Sequence, residues 1–154
     1  MLCSCQQQLT AGPAIFGESP STLCIPAAKN EKVLAGEVFQ APKANGVTIK
    51  AIQIAGSKNA RLTASYIVPI GAEGAIGSAS YPVDLTQIPS WEDRQKAAGS
   101  TVRAGEAVSV ALVLQRGEGA RDGNVGRASV IYSSDGHDYK KEGTIAFQLA
   151  SSCN

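Results

Sequence analysis

The sequence has a single histidine, a single methionine and a single tryptophan, and each scarcity removes a kind of chemistry. A serine-type relay would have to use His137, which falls in a predicted hairpin turn where a buried acid–base relay is hard to build. One methionine does not make a Met-rich copper site. Three Phe, four Tyr and one Trp leave little material for a base-stacking platform. Neither sign of charge is in excess. Lys and Arg number 14 against 13 Asp and Glu, and the basic residues are scattered from Lys29 to Lys141. Nucleic acid, whose phosphates require a concentrated basic surface, is therefore not an expected partner. No run of about 18 apolar residues occurs, so the sequence itself holds no spanning helix.

Catalytic and metal motifs are lacking as well. There is no Gly-x-Ser-x-Gly elbow, Gly-x-x-x-x-Gly-Lys loop or Gly-x-Gly-x-x-Gly fingerprint. Asp135, His137 and Asp138, or Asp122 with Asn124, could gather a few metal ligands. Neither set has a recognised spacing, and turn chemistry accounts for an Asp beside a Gly in both places. No cofactor and no metal are expected.

What is present is the composition of a globule: 154 residues, 44% hydrophobic, with 16 Gly and 7 Pro. A chain of this length fits one domain that buries roughly 70% of its unfolded surface. The four cysteines are Cys3, Cys5, Cys24 and Cys153, without the C-x2-C spacing of a structural zinc site. Cys24 and Cys153 stand at the two ends of the part expected to fold, where a disulfide would tie the entering chain to the final strand and would imply an oxidising compartment. The alternative is two free thiols in a cytosolic protein. We expect residues 1–21 to be an N-terminal tether and residues 22–154 a β-sandwich domain.

The body reads as strands separated by turns. Ala14-Ile15-Phe16 suits a short edge strand, and Val33 to Gln40, Val47 to Ile54 and Ala60 to Pro69 follow. In Val47 to Ile54 the apolar parity switches faces, which a β-bulge near Ala51 reconciles. Ala107 to Gln115 is apolar on both faces and should be a central strand. Ile70 to Ser100 reads as a long crossover, in which Ser90 caps a helix from Trp91 to Ala98 that stops at Gly99. Trp91 is expected to pack across the open end of a sandwich. At the C-terminal end, Arg127 to Ser133 alternates, Ser134-Asp135-Gly136 supplies a turn, and a return strand begins near Tyr139. That strand continues through Ile145, Phe147 and Leu149 to Cys153, with the core beneath this hairpin. The sum is all-β: a two-layer antiparallel immunoglobulin-like sandwich of seven or eight strands with one short helix.

Two resemblances bear on location. Leu2-Cys3-Ser4-Cys5 resembles the end of a bacterial lipoprotein signal, in which Cys5 would receive lipid and the polar stretch after it would lead off the membrane. Cys3 is unusual at its position, and no basic region or apolar segment of about 7 to 15 residues precedes the motif. The alternative is a polar tail with two incidental cysteines. Further on, Trp91-x-x-Arg94-x-x-Ala97-x-Gly99 is followed by Val102-x-x-Gly105 and an apolar strand. Tyr132-x-x-x-Gly136-x-x-Tyr139 and the terminal Cys153 complete a pattern that is similar to small exported domains of actinobacterial lipoproteins and membrane-anchored proteins. That likeness spans Cys24 to Cys153. It implies an envelope location and a sandwich fold, carries no catalytic residue, and lacks the Cys-Trp-Cys order usual in immunoglobulin domains.

We therefore expect a non-enzymatic extracytoplasmic domain that binds a protein, peptide or glycan of the envelope, or serves as a structural spacer, and that meets the membrane only through an N-terminal anchor. The alternative is a hydrolase or metal-handling protein with a site assembled from scattered carboxylates and serines. Recognition residues collect on loops that exceed what turning the chain requires. The crossover offers Tyr81, Trp91 and Arg94, and the glycine-rich loop Arg116 to Gly126 offers Arg116, Arg121 and Asp122 on a flexible backbone.

Overall fold

The computed structural model describes residues 8–154. Fourteen strands run through them: β1 (Ile15–Phe16), β2 (Ser21–Pro26), β3 (Lys32–Gln40), β4 (Val47–Ile54), β5 (Ser57–Lys58), β6 (Ala60–Pro69), β7 (Ser78–Ser80), β8 (Gln95–Lys96), β9 (Thr101–Val102), β10 (Ala107–Arg116), β11 (Gly123–Val125), β12 (Ala128–Ser134), β13 (His137–Glu142) and β14 (Ile145–Ala150). Eight have six residues or more; β3, β4, β6, β10 and β12 lie where alternation placed strands, β13 and β14 divide the one return strand expected, and β2 was not expected, because Pro20 and Pro26 read as breaks. The others are two- or three-residue pieces, of which β1 and β9 fall where short strands were expected and β5, β7, β8 and β11 are too short to show a period.

A central sheet has the order β1-β3-β10-β6-β8, with β7 also paired to β3. Two four-stranded sheets, β2-β14-β11-β5 and β13-β12-β4-β9, stand opposite it. All three send side chains into one core: Val33, Ala35 and Phe39 from β3, Leu112 and Leu114 from β10, Val130 and Tyr132 from β12, and Phe147 and Leu149 from β14. The protein is thus an all-β sandwich. Every pairing among the described strands is antiparallel except β2 with β14, which is parallel.

The longer strands obey the pattern of their sequences. β10 lies between β3 and β6, with Val108, Val110, Leu112 and Leu114 in the main core and Ala111 and Val113 in a second cluster on the opposite face. Its two apolar faces are both covered, as a central strand requires. In β4 the pairing with β12 skips Lys50, so Val47 and Ile49 before the bulge, and Ile52 and Ile54 after it, all pack on the main core. A second bulge, at Thr63 of β6, has no signal in the sequence. It sends Leu62 to the main core and Ala64, Tyr66 and Val68 to the second cluster.

The C-terminal hairpin forms between β12 and β13, and Asp135 and Gly136 both take positive φ (50° and 76°), as its two-residue turn demands. Its return strand ends sooner than the alternation suggested. At Gly143 the chain leaves the hairpin and crosses to the neighbouring sheet, where β14 pairs with β2 and β11. Gly143 N donates to Ala128 O over 2.6 Å, and a Cβ there would stand 2.7 Å from Glu37 Oε2 and 2.9 Å from Ala128 O. Only glycine fits this crossing.

Crossover 70–100 forms a third layer on the outer face of the central sheet. Ile76, Trp91 and Ile88 cover Leu34, Val68, Ala111 and Val113. Trp91 therefore packs on a sheet face and not across an open end. Gly36 permits the close approach: its N–H donates to Gly77 O over 2.8 Å, and a Cβ on it would overlap the Ile76 carbonyl oxygen. The expected helix is a 3-10 turn, Pro89–Asp93, because Arg94 turns extended (ψ 146°) and the chain enters β8 beside β6. Ser90 is not its cap. Glu73 accepts the Ser90 N–H over 3.1 Å and also the Ser90 hydroxyl.

Of the expected tether, residues from Thr10 onward belong to the domain. Thr10 O accepts the Lys140 N–H over 2.9 Å, Ala14 is buried, and the Tyr132 hydroxyl accepts from Ala14 N over 3.0 Å while donating to Ala11 O over 3.1 Å. The tether boundary expected at residue 21 thus lies before Thr10. Cys3 and Cys5 fall outside the described residues.

Candidate functional site

Cys24 and Cys153 form a disulfide with a Cα–Cα distance of 5.8 Å. It joins the edge strand β2 to the residues just past β14, which fits an oxidising, extracytoplasmic environment. Among the described residues no helix is long and apolar enough to cross a membrane.

The six residues expected to meet a partner do not form one surface. Trp91 is only 5% exposed, with Tyr66 and Tyr81 edge-on to it at 5.1 and 6.5 Å between ring centroids. Arg94 is exposed, but its guanidinium lies over Trp91 at 4.7 Å and over Tyr66 at 5.5 Å, and it donates to Trp91 O. The crossover is thus a structural lid, and its buried Trp91 offers no surface to a partner. At the other loop Arg116 is turned inward and 2% exposed. It donates to Ala27 O and Ser151 Oγ, both at 2.8 Å, and to Ala120 O and Arg121 O at 3.4 and 3.2 Å. Arg121 and Asp122 are exposed, and Asp122 accepts from Gln148 over 2.8 Å. Arg94 sits at Tyr66 and Arg121 at Asn59, so at about 3.3 Å per residue the two groups stand roughly 20 Å apart along β6.

The glycine-rich loop is also clamped rather than flexible. Asn59, in left-handed conformation before β6 (φ 48°), donates through Nδ2 to Gly119 O and Arg121 O and accepts Gly119 N–H on Oδ1. Between this loop and the end of β10 is an open groove of about 420 Å³, lined by Asn30, Asn59, Ala60, Arg61, Gln115, Arg116, Gly117 and Glu118. Its wall is fixed by side chains on neighbouring strands. Gln115 is opposite both Lys32 of β3 and Arg61 of β6, so the three share a face. Arg61 donates from Nε and Nη2 to Gln115 Oε1 over 3.1 and 2.7 Å, and Gln115 Nε2 donates to Asn30 O over 2.9 Å.

Four groups have displaced protonation, and each has a local cause. Burial pushes the Glu37 carboxyl up, against the N–H groups of Thr144 and Ile145 that favour its charge. Burial likewise pushes the Tyr132 phenol up. The Ser90 hydroxyl holds Glu73 down, and the Thr86 hydroxyl holds Asp84 down. All four positions are structural contacts, and none lines the groove at Arg61. The possible metal ligands are dispersed into other roles: His137 Nδ1 is 2.9 Å from Asp135 O, and Asp138 is paired with Lys50 at 2.9 Å. Of the residues the sequence offered on this loop, Arg116 lines the groove and Arg121 and Asp122 do not, while Asn30, Asn59, Arg61, Gln115 and Glu118 were not singled out as recognition residues. Arg61 and Gln115 could have been found as polar residues ending otherwise apolar strands.

No family model and no curated protein matches the chain. Among solved structures it is similar to the VesB protease of Vibrio cholerae, at 14% identity and a TM-score of 0.48, over 90% of this chain and 32% of that one. It is also similar to a family 123 glycoside hydrolase from Clostridium perfringens, at 12% identity and a TM-score of 0.40, over 85% of this chain and 23% of that one. The chain thus spans about a third and a quarter of those enzymes, and likeness at this level transfers neither activity.

Proposed function

We propose that the protein is a non-enzymatic extracytoplasmic binding domain of the cell envelope whose recognition surface is the groove between β10 and the loop at 116–122. The observation that supports this most is the groove's locked polar wall. Arg61, Gln115 and Asn59 are held by hydrogen bonds to one another's strands and to the loop, so their ordering cost is met before any partner arrives. The groups with displaced protonation sit elsewhere, in contacts that hold the fold together. Kinship with exported actinobacterial envelope domains, the immunoglobulin-like arrangement and anchoring through lipid on Cys5 belong to the same proposal.

The test is a titration of the purified domain with fractionated envelope material, followed by amide chemical shifts. Shifts concentrated on Asn30, Arg61, Gln115 and Gly117 support the reading. Shifts confined to another face, or turnover of a substrate library, would replace it.

A further inference from the structure

The groove holds more positive charge than its own carboxylates neutralise. Arg116 is nine-tenths buried and more, its four acceptors are three carbonyls and one hydroxyl, and its Nε has no partner among the described residues. Arg61 is exposed, makes no ion pair among the described residues, and offers the guanidinium hydrogens that Gln115 does not take. Lys32 extends the same face one strand further, which spaces its Cβ from that of Arg61 by two inter-strand steps, about 10 Å. Among side chains only Glu118 opposes this charge within the lining. A guanidinium next to a low-dielectric wall attracts an oxyanion more strongly than one in open water.

Glu118 decides which oxyanion. A sulfate presents only acceptors, and a phosphate has few donors for its charge, so an adjacent carboxylate disfavours both. A sugar acid presents a carboxylate for Arg61 together with hydroxyl donors, for which Glu118 and the Asn30 side-chain amide are acceptors. The groove has no aromatic or large apolar side chain to seat a peptide residue, and at its β10 wall both edges are already paired, with β3 and with β6. Resting on the binding role proposed above, we infer that the groove recognises an acidic glycan, through a uronate-type carboxylate on Arg61 and ring hydroxyls on Glu118 and Asn30.

Calorimetric titration with a galacturonate oligosaccharide tests this, with the neutral galactose oligomer, poly-glutamate and inorganic sulfate as parallel arms. The expected result is saturable binding of the uronate oligomer alone that weakens as salt rises. Arg61→Ala should reduce the affinity about ten-fold, Arg61→Lys less, with unchanged melting curves. Glu118→Gln should weaken the uronate oligomer while letting sulfate bind better. Equal binding of the neutral oligomer or of poly-glutamate, lost with Arg61→Ala, overturns the acidic glycan but keeps the groove as a binding site. Absence of binding in every arm, or binding indifferent to Arg61, overturns the acidic glycan. The envelope titration then decides independently whether the groove is a site at all.

Discussion

Glu37 on β3 and Thr144, 107 residues later, meet where the chain passes from the hairpin to the neighbouring sheet, and the Thr144 N–H donates to Glu37 Oε2 over 2.9 Å. The same carboxylate accepts Ile145 N–H over 3.3 Å. A break between two strands leaves backbone donors without a ladder partner inside the core, and a buried acid 3% exposed supplies the acceptor.

That acid makes stability depend on pH. Burial raises the folded-state pKa of Glu37 above its usual 4.5, so the folded protein holds this proton more tightly than the unfolded chain. Its contribution is complete below pH 4.5 and is lost as pH rises through the folded value. Glu73 and Asp84 are shifted downward and act in the opposite sense, below their usual values of 4.5 and 3.8. Denaturant unfolding from pH 4.5 to 8 should show a decline in the wild type that flattens in Glu37→Gln. Glu37→Ala should be less stable at every pH by about 1–3 kcal/mol, because two N–H groups lose their acceptor. A Glu37→Gln curve parallel to wild type refutes the assignment.

The disulfide closes a loop of 129 residues. Chain entropy assigns such a loop about 5 kcal/mol, and measured losses fall in the range of about 2–5 kcal/mol. Non-reducing peptide maps should join the Cys24 and Cys153 peptides, and the Cys24→Ala/Cys153→Ala double variant should lose stability in that range. Free thiols at these positions in oxidised protein would contradict the pairing.

Trp91 and Arg94 should separate cleanly. Trp91→Ala removes the centre of the layer over the central sheet and is expected to cost about 3–5 kcal/mol. Arg94→Ala loses a surface stack over two rings and should stay within about 1 kcal/mol of wild type. Thermal melts decide. Similar losses in both variants would show that Arg94 is part of the packing.

Gly36→Ala places a methyl group against the Ile76 carbonyl oxygen, which is backbone and yields little. Overpacking of this kind costs about 1–3 kcal/mol. Hydrogen exchange should locate the damage in crossover 70–100, with Gly77 and Ser78 losing protection while β12 retains it.

Arg116→Ala strips the donors from Ala27 O, Ser151 Oγ, Ala120 O and Arg121 O at once. The expected loss is about 3 kcal/mol, and Arg116→Lys should recover little of it, since an ammonium lacks the planar fork that reaches four acceptors. Wild-type stability in Arg116→Lys would mean that charge alone matters there.

Alternation alone determined the all-β class, the spans of β4 and β6, the two covered faces of β10 and the bulge in β4. The Asp135-Gly136 turn and the pairing of Cys24 with Cys153 were also legible, the first from local φ demands and the second from position along the chain. All but the disulfide are properties of residues near one another in sequence, and the disulfide follows from where its two cysteines stand along the chain. The exit at Gly143, the bulge at Thr63, the short strands β5, β7, β8 and β11, the sheet face on which Trp91 packs and the burial of Arg116 were decided by tertiary structure. Each depends on a partner about 20 to 110 positions away: Glu37 behind Thr144, Val113 beside Thr63, Leu34 and Val113 beneath Trp91, and Ala27 with Ser151 around Arg116. Periodicity reports which face of a strand is apolar and is silent about what covers it. A tryptophan expected to pack is therefore assigned to the wrong place, an open end instead of a sheet face, and a strand-ending arginine reads as a recognition residue until the loop and strands that bury it are placed.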